Sequence, residues 1–73
     1  MTQYPDKAIV WAYQSIYEPM FNKSDNTWFV NYKQNGEWKQ KSFITRDGAW
    51  MFYYEKIHEF KEYFTKLIMQ RSK

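Results

Sequence analysis

The chain of 73 residues has no cysteine, two glycines, two prolines and a single histidine. Without cysteine there is no disulfide to staple the fold and no cysteine–histidine zinc set. A reducing compartment fits that lack, so an intracellular location (cytoplasm, nucleoid or nucleus) is expected. No apolar run approaches the ~20 residues that a membrane-spanning helix needs, and residues 8–13, AIVWAY, form the longest. Residues 1–20 lack a basic start followed by a continuous apolar stretch, so no secretory signal and no membrane association are expected. There is no glycine-rich phosphate loop, and no serine or cysteine stands at a motif spacing from His58. Asp25, Asp47 and the glutamates form no obvious acid–base pair. An enzyme is not expected, nor is a cofactor. His58 has Glu55, Glu59 and Glu62 within helical reach, but such His–Glu pairs are ordinary surface contacts and no metal is expected.

What the chain does have is aromatic mass: four Trp, seven Tyr and six Phe, 23% of its residues. A single domain of this size buries only ~60% of its unfolded surface, and each large ring contributes roughly 150–250 Å². So many rings cannot all be buried, and some must serve a partner or cap the core. The net charge is +3, from eleven basic and eight acidic residues. That is compatible with nucleic acid but decides little by itself.

The most informative stretch is residues 28–49, WFVNYKQNGEWKQKSFITRDGA. Trp28, Val30 and Tyr32 alternate with Phe29, Asn31 and Lys33, which is strand periodicity. Asn35-Gly36 between alternating segments is a hairpin signal. Strands are therefore expected over residues 27–33 and 37–43. Residues 15–20 are read as a short first strand with Pro19 on a sheet edge, and residues 21–26, FNKSDN, as a polar loop. Thr45 is a helix N-cap with Asp47 in the first turn. From Arg46 to about Gln70 the pattern is helical, with Ala49, Tyr53, Ile57, Phe60, Phe64 and Leu67 on one face. Glu62 and Lys66 form an i,i+4 pair, and the helix is expected to fray from Met69 to Lys73. Pro5-Asp6 opens either a short helix over residues 7–14 or a strand, and the run is too short for periodicity to arbitrate. The expectation is one small α+β domain. It has an N-terminal extension (1–14), a three-stranded antiparallel sheet (15–44) and a long C-terminal helix (45–70) packed on the sheet.

The turn decides which side chains share a face. A two-residue turn at Asn35-Gly36 sets Lys39 and Lys41 on the face of Trp28, Val30 and Tyr32, under the helix, where burial is costly. A three-residue loop with Gly36 in a bulge shifts the pairing by one and moves every side chain of the strand to the other face. The second register is expected. It buries Trp38 with Gln40 and Ser42, and leaves Phe29, Asn31, Lys33, Lys39 and Lys41 on an open face, with Phe43 turning inward.

At these residues the chain resembles a known pattern. Trp28-x-Val30-x-Tyr32, Asn35-Gly36, Lys39-Gln40-Lys41-Ser42 and Phe43-x-Thr45-Arg46-x-x-Ala49 are similar to the N-terminal arm-binding domain of phage and transposon tyrosine integrases. The same outline, with Ile57-His58-Glu59-Phe60 as the end of the backing helix, resembles the APETALA2-type DNA-binding domain. The resemblance spans roughly residues 15–62 and implies a sheet lying in the DNA major groove, backed by one helix. It implies double-stranded DNA as partner and a recombination or transcription accessory as function. The contacts it implies are Asn31, Lys33, Lys39 and Lys41. Phe29 adds a base or thymine-methyl contact, and Arg46 and Lys23 are phosphate candidates. The chain departs from the family in carrying lysines where the sheets usually carry arginines, and bulky Phe52, Tyr53 and Ile57 where the helix usually carries small residues. The alternative is a small protein-binding module, such as a phage-type inhibitor or adaptor. It would use Trp11, Tyr13, Tyr17, Trp50 and Tyr54 as its contact patch, or bury them in a homodimer.

Overall fold

The structure, a computed structural model, describes residues 4–71. Its elements are α1 (Asp6–Gln14), β1 (Met20–Asn22), β2 (Thr27–Gln34), β3 (Glu37–Phe43) and α2 (Arg46–Arg71). The strands form one antiparallel sheet in the order β1-β2-β3, so the expected α+β class stands. Among the described residues no helix is long and apolar enough to cross a membrane. Residues 1–3 of the N-terminal extension, and Ser72 and Lys73 of the tail expected to fray, lie outside the described residues.

Of the two readings left open for the N-terminal segment, the helix is the one that forms. Asp6 lies in its first turn, where the helix dipole favours an acid. Ala8 and Ala12, one turn apart, are wholly buried, and such small side chains let α1 lie close against α2. Trp11 meets Phe64 of α2 edge-on at 5.5 Å. The helix closes at Ser15, whose hydroxyl donates to the Trp11 carbonyl at 2.9 Å.

The chain then turns directly into the sheet. The Lys33 N–H donates to the Ser15 carbonyl at 2.7 Å, and the Tyr17 N–H donates to the Asn31 carbonyl at 2.8 Å. Ile16 thus pairs with Tyr32 and Met20 with Phe29, so this side spends one more residue than β2 between the two pairs. That is a bulge, and buried Pro19, which has no N–H to offer the ladder, sits in it. The first strand therefore falls later than expected, and Phe21 and Asn22 belong to β1 rather than to the loop. The turn that follows is built on Asn22, whose side-chain carbonyl accepts from the Ser24 N–H at 3.0 Å.

The β2–β3 register corrects the sequence expectation. Gln34 pairs with Glu37, Tyr32 with Lys39, Val30 with Lys41 and Trp28 with Phe43. Only Asn35 and Gly36 make the turn, both with positive φ (54° and 82°). This is the primed turn whose twist matches that of the strands, and Asn-Gly is its preferred sequence. Lys39 and Lys41 therefore stand on the helix side of the sheet, and Trp38, Gln40 and Ser42 on the open side. The burial cost that argued against this register does not arise. The core of Ile16, Val30, Ala49, Tyr53 and Ile57 centres α2 on β2 and the Ile16 segment, and the helix meets β3 through Phe52, at Phe43 and Lys41. Every residue of β3 except Phe43 is exposed. Phe43 does turn inward, to 5.2 Å from Phe52.

Thr45 caps α2 as expected: the Gly48 N–H donates to its hydroxyl at 3.1 Å, a contact worth about 1 kcal/mol. Ala49, Tyr53 and Ile57 on the expected face are buried. At 26 residues the helix spans roughly 39 Å at 1.5 Å per residue. Its first turns back the sheet and its later turns carry α1. Glu62 pairs with His58 at 3.1 Å, rather than with Lys66 as the spacing suggested.

Candidate nucleic-acid interface

Nothing among the described residues covers the sheet face opposite α2. Alternation and register place three rows across it. Met20, Phe29 and Ser42 form the first, Tyr17, Asn31 and Gln40 the second, and Lys33 and Trp38 the third. Tyr17 and Trp38 reach over the middle row and stack, with ring centroids 5.1 Å apart and planes at 22°. Their exposures are 58% and 49%, so the stacked pair stands proud of the sheet. A shallow depression of ≈ 470 Å³ lies among Tyr17, Asn31, Trp38, Lys39 and Gln40.

The residues named from the sequence separate into three groups. Phe29, Asn31 and Lys33 lie together on the open face; Phe29 and Asn31 are half-buried and Lys33 is exposed. Lys39 and Lys41 do not join them. Both root on the helix side of the outer strand, and the Lys41 ammonium lies over the rings of Phe52 (5.3 Å) and Phe43 (5.9 Å). Arg46 begins α2 and Lys23 lies in the β1–β2 turn, both exposed. The open face is therefore amide- and ring-rich, with one lysine in its last row.

Sequence reasoning missed Tyr17, Trp38 and Gln40 as members of this face. The signal for Trp38 and Gln40 was present: Asn-Gly selects a two-residue turn, and that choice alone fixes their side. For Tyr17 the signal was the segment just before Pro19, whose pairing with Asn31 follows only once the bulge is known.

The helix layer presents different chemistry. His58 accepts or donates at Nδ1 with the Tyr4 hydroxyl (3.3 Å) and pairs through Nε2 with Glu62 (3.1 Å). Lys61 lies over Tyr4 (6.0 Å) and Tyr13 (5.3 Å). The Tyr53 phenol is pushed above its ordinary pKa, first by burial and then by the neighbouring Glu18 carboxylate, with Tyr13 and Tyr54 adding. Tyr53 stays neutral through the physiological range and acts as a packing residue.

Comparison with known proteins finds no match: no family model, no curated protein and no solved structure is significantly similar to this chain. The fold is a small α+β domain, one sheet and two helices.

Proposed function

We propose that this protein binds DNA through the uncovered face of its sheet, as an accessory of recombination or transcription. The observation that carries the reading is the arrangement on that face. The amides of Asn31 and Gln40 stand on directly paired residues, beneath a protruding stacked ring pair and one row from Lys33. Asn and Gln are the side chains that pair bidentately with adenine edges in the major groove, and Phe29 suits a thymine methyl. Tyr17 and Trp38 supply apolar and stacking contact. Lys33 neutralises phosphate from the turn end of the face. Lys39 acts from the rim, since a lysine stem carries its ammonium past the edge of an outer strand, whereas the Lys41 ammonium is turned over the rings of Phe52 and Phe43. We assign the exposed Lys23 and Arg46 to the flanking phosphates. The +3 charge of the chain favours the encounter.

The test is an amide NMR titration with mixed-sequence duplex DNA at low and moderate salt, repeated with a single strand of the same sequence. The expected result is shifts confined to Tyr17, residues 29–33 and residues 38–42, reversed by salt. Lys33→Ala should lower the salt slope by about one unit. No shift at low salt with either nucleic acid would end this reading.

A second reading, partner-protein binding, is favoured by a different surface. Trp50 and Tyr54 contact at 5.7 Å, and Tyr54, Met51 and Tyr13 are 63%, 64% and 49% exposed. Of the aromatics grouped from the sequence, Tyr17 does not belong here, because it lies on the sheet face, and Trp11 is taken up by Phe64. Binding through this patch would be insensitive to salt and would survive Lys33→Ala.

A further inference from the structure

We propose that the free edge of β3 is a docking strand for an extended, acidic segment of a partner protein, which joins the sheet as a fourth strand. The inference is independent of DNA binding.

The geometry starts from the hydrogen bonds of β2. The Asn31 carbonyl and the Lys33 N–H are used on the Tyr17 and Ser15 side. Backbone groups alternate sides along a strand, so Trp28, Val30, Tyr32 and Gln34 turn theirs toward β3. Their partners Phe43, Lys41, Lys39 and Glu37 therefore spend theirs on β2. This leaves the N–H and C=O groups of Trp38, Gln40 and Ser42 pointing outward from the sheet. β3 is the last strand in the order and is exposed along almost its whole length. Such an edge is a template for strand addition.

The side chains select the occupant. A strand laid against β3 has alternate residues on the two faces of the sheet. Those on the helix side meet Glu37, Lys39 and Lys41; the Lys41 ammonium is turned over Phe52, and the net positive charge of that row favours Asp or Glu across from Lys39. Those across from Trp38 meet an aromatic wall on the other face, which favours apolar or β-branched residues. A second copy of this chain is a poor occupant. An antiparallel self-pairing centred on Lys39, Gln40 or Lys41 sets lysine directly against lysine, and like charges directly opposite are destabilising. The edge thus repels itself while inviting an acidic strand.

The experiment uses the full chain without nucleic acid. The probe is a blocked peptide alternating valine and aspartate, about the length of β3 (7 residues). Two controls accompany it: the valine–lysine counterpart, and the acidic peptide N-methylated at alternate residues so that it cannot join a ladder. The acidic peptide should shift the amides of Trp38, Gln40 and Ser42 and slow their exchange with solvent, while both controls do neither. K39E/K41E should weaken the acidic peptide about tenfold or more and bring in the lysine peptide. Four results would overturn the proposal. These are no protection of those three amides, equal binding of both charge types, binding that survives N-methylation, or concentration-dependent protection of the same amides without peptide. The last would make the edge a self-association site. None of these outcomes depends on whether DNA binds the open face.

Discussion

Strands β2 and β3 are joined by a two-residue turn and paired along nearly their whole length, but they live in different solvents. β2 is bonded on both sides, to β3 on one and to Ser15–Tyr17 and β1 on the other, and α2 lies across it. β3 is bonded on one side only, and the helix reaches it only through Phe52, at Phe43 and Lys41. The contrast is sharpest at one cross-strand pair. Val30 and Lys41 face each other on the same side of the sheet, yet Val30 is wholly buried and Lys41 is exposed. Sharing a face with the core is therefore not the same as being in it. In a three-stranded sheet backed by a single helix, coverage is decided strand by strand, and the outer strand is free to carry charge.

The strongest way to break this comparison is to place the same charge at both members of that pair. Val30→Asp sets a carboxylate among Ile16, Tyr53 and Ile57. Its cost of several kcal/mol is comparable to the whole stability of a domain this small, roughly 4–11 kcal/mol. Loss of the cooperative urea transition is expected. Lys41→Asp should change stability by less than about 1 kcal/mol, as exposed substitutions do. Equal damage from the two would mean that the helix covers β3 as fully as β2.

The next effect tests the other neighbour of β2. Ile16 is 4% exposed and packs from the segment before the bulge. Ile16→Ala should cost about 2–4 kcal/mol, whereas Ser42→Ala on the outer strand should leave the urea midpoint almost unmoved. If Ile16→Ala is as mild as Ser42→Ala, the Ile16–Tyr32 bridge adds no packing to the core.

The turn that sets the two strands' register comes third. Gly36 has φ of 82° with no atom within 4 Å of where a Cβ would stand. A side chain there meets no clash, only the backbone penalty of a left-handed conformation, about 1–2 kcal/mol. Gly36→Ala should lower the thermal midpoint accordingly, while Asn35→Gly should be nearly neutral. A neutral Gly36→Ala would mean that the turn readily adopts another type, and with it another register.

How far the sequence led can be judged at the same places. The boundaries of β3, the Thr45 cap and the buried face of α2 follow from local signals: an Asn-Gly pair, a threonine before the helical pattern, and a recurring apolar face. The register did not, although Asn35-Gly36 pointed to it. The weight given to burying Lys39 and Lys41 assumed that the helix covers all three strands, and helix placement is a tertiary fact. The same error sent Trp38 inward and the two lysines outward, so of the expected DNA-contacting set only Phe29, Asn31 and Lys33 share the open face. The start of β1 was hidden by the bulge, since Pro19 punctuates the segment without saying on which side of it pairing resumes.

The smallest effect tests the one ring contact that ties β3 to the far side of the sheet. Tyr17 and Trp38 stack across β2, above Asn31 and Gln40. Such a pair is worth about 0.5–1.5 kcal/mol beyond area burial. A double-mutant cycle of Tyr17→Ala and Trp38→Ala in urea should return a coupling of that size. Each single substitution should also leave the core intact, as judged by unchanged near-ultraviolet signals from the remaining aromatics. A coupling near zero would mean that the rings are independently solvated, and that the open face is a flatter polar surface on which Trp38 is available to a ligand without first parting from Tyr17. A coupling at the upper end would mean that any base or apolar side chain inserted between them must first break the stack. The pair would then be a wall of the site rather than a clamp.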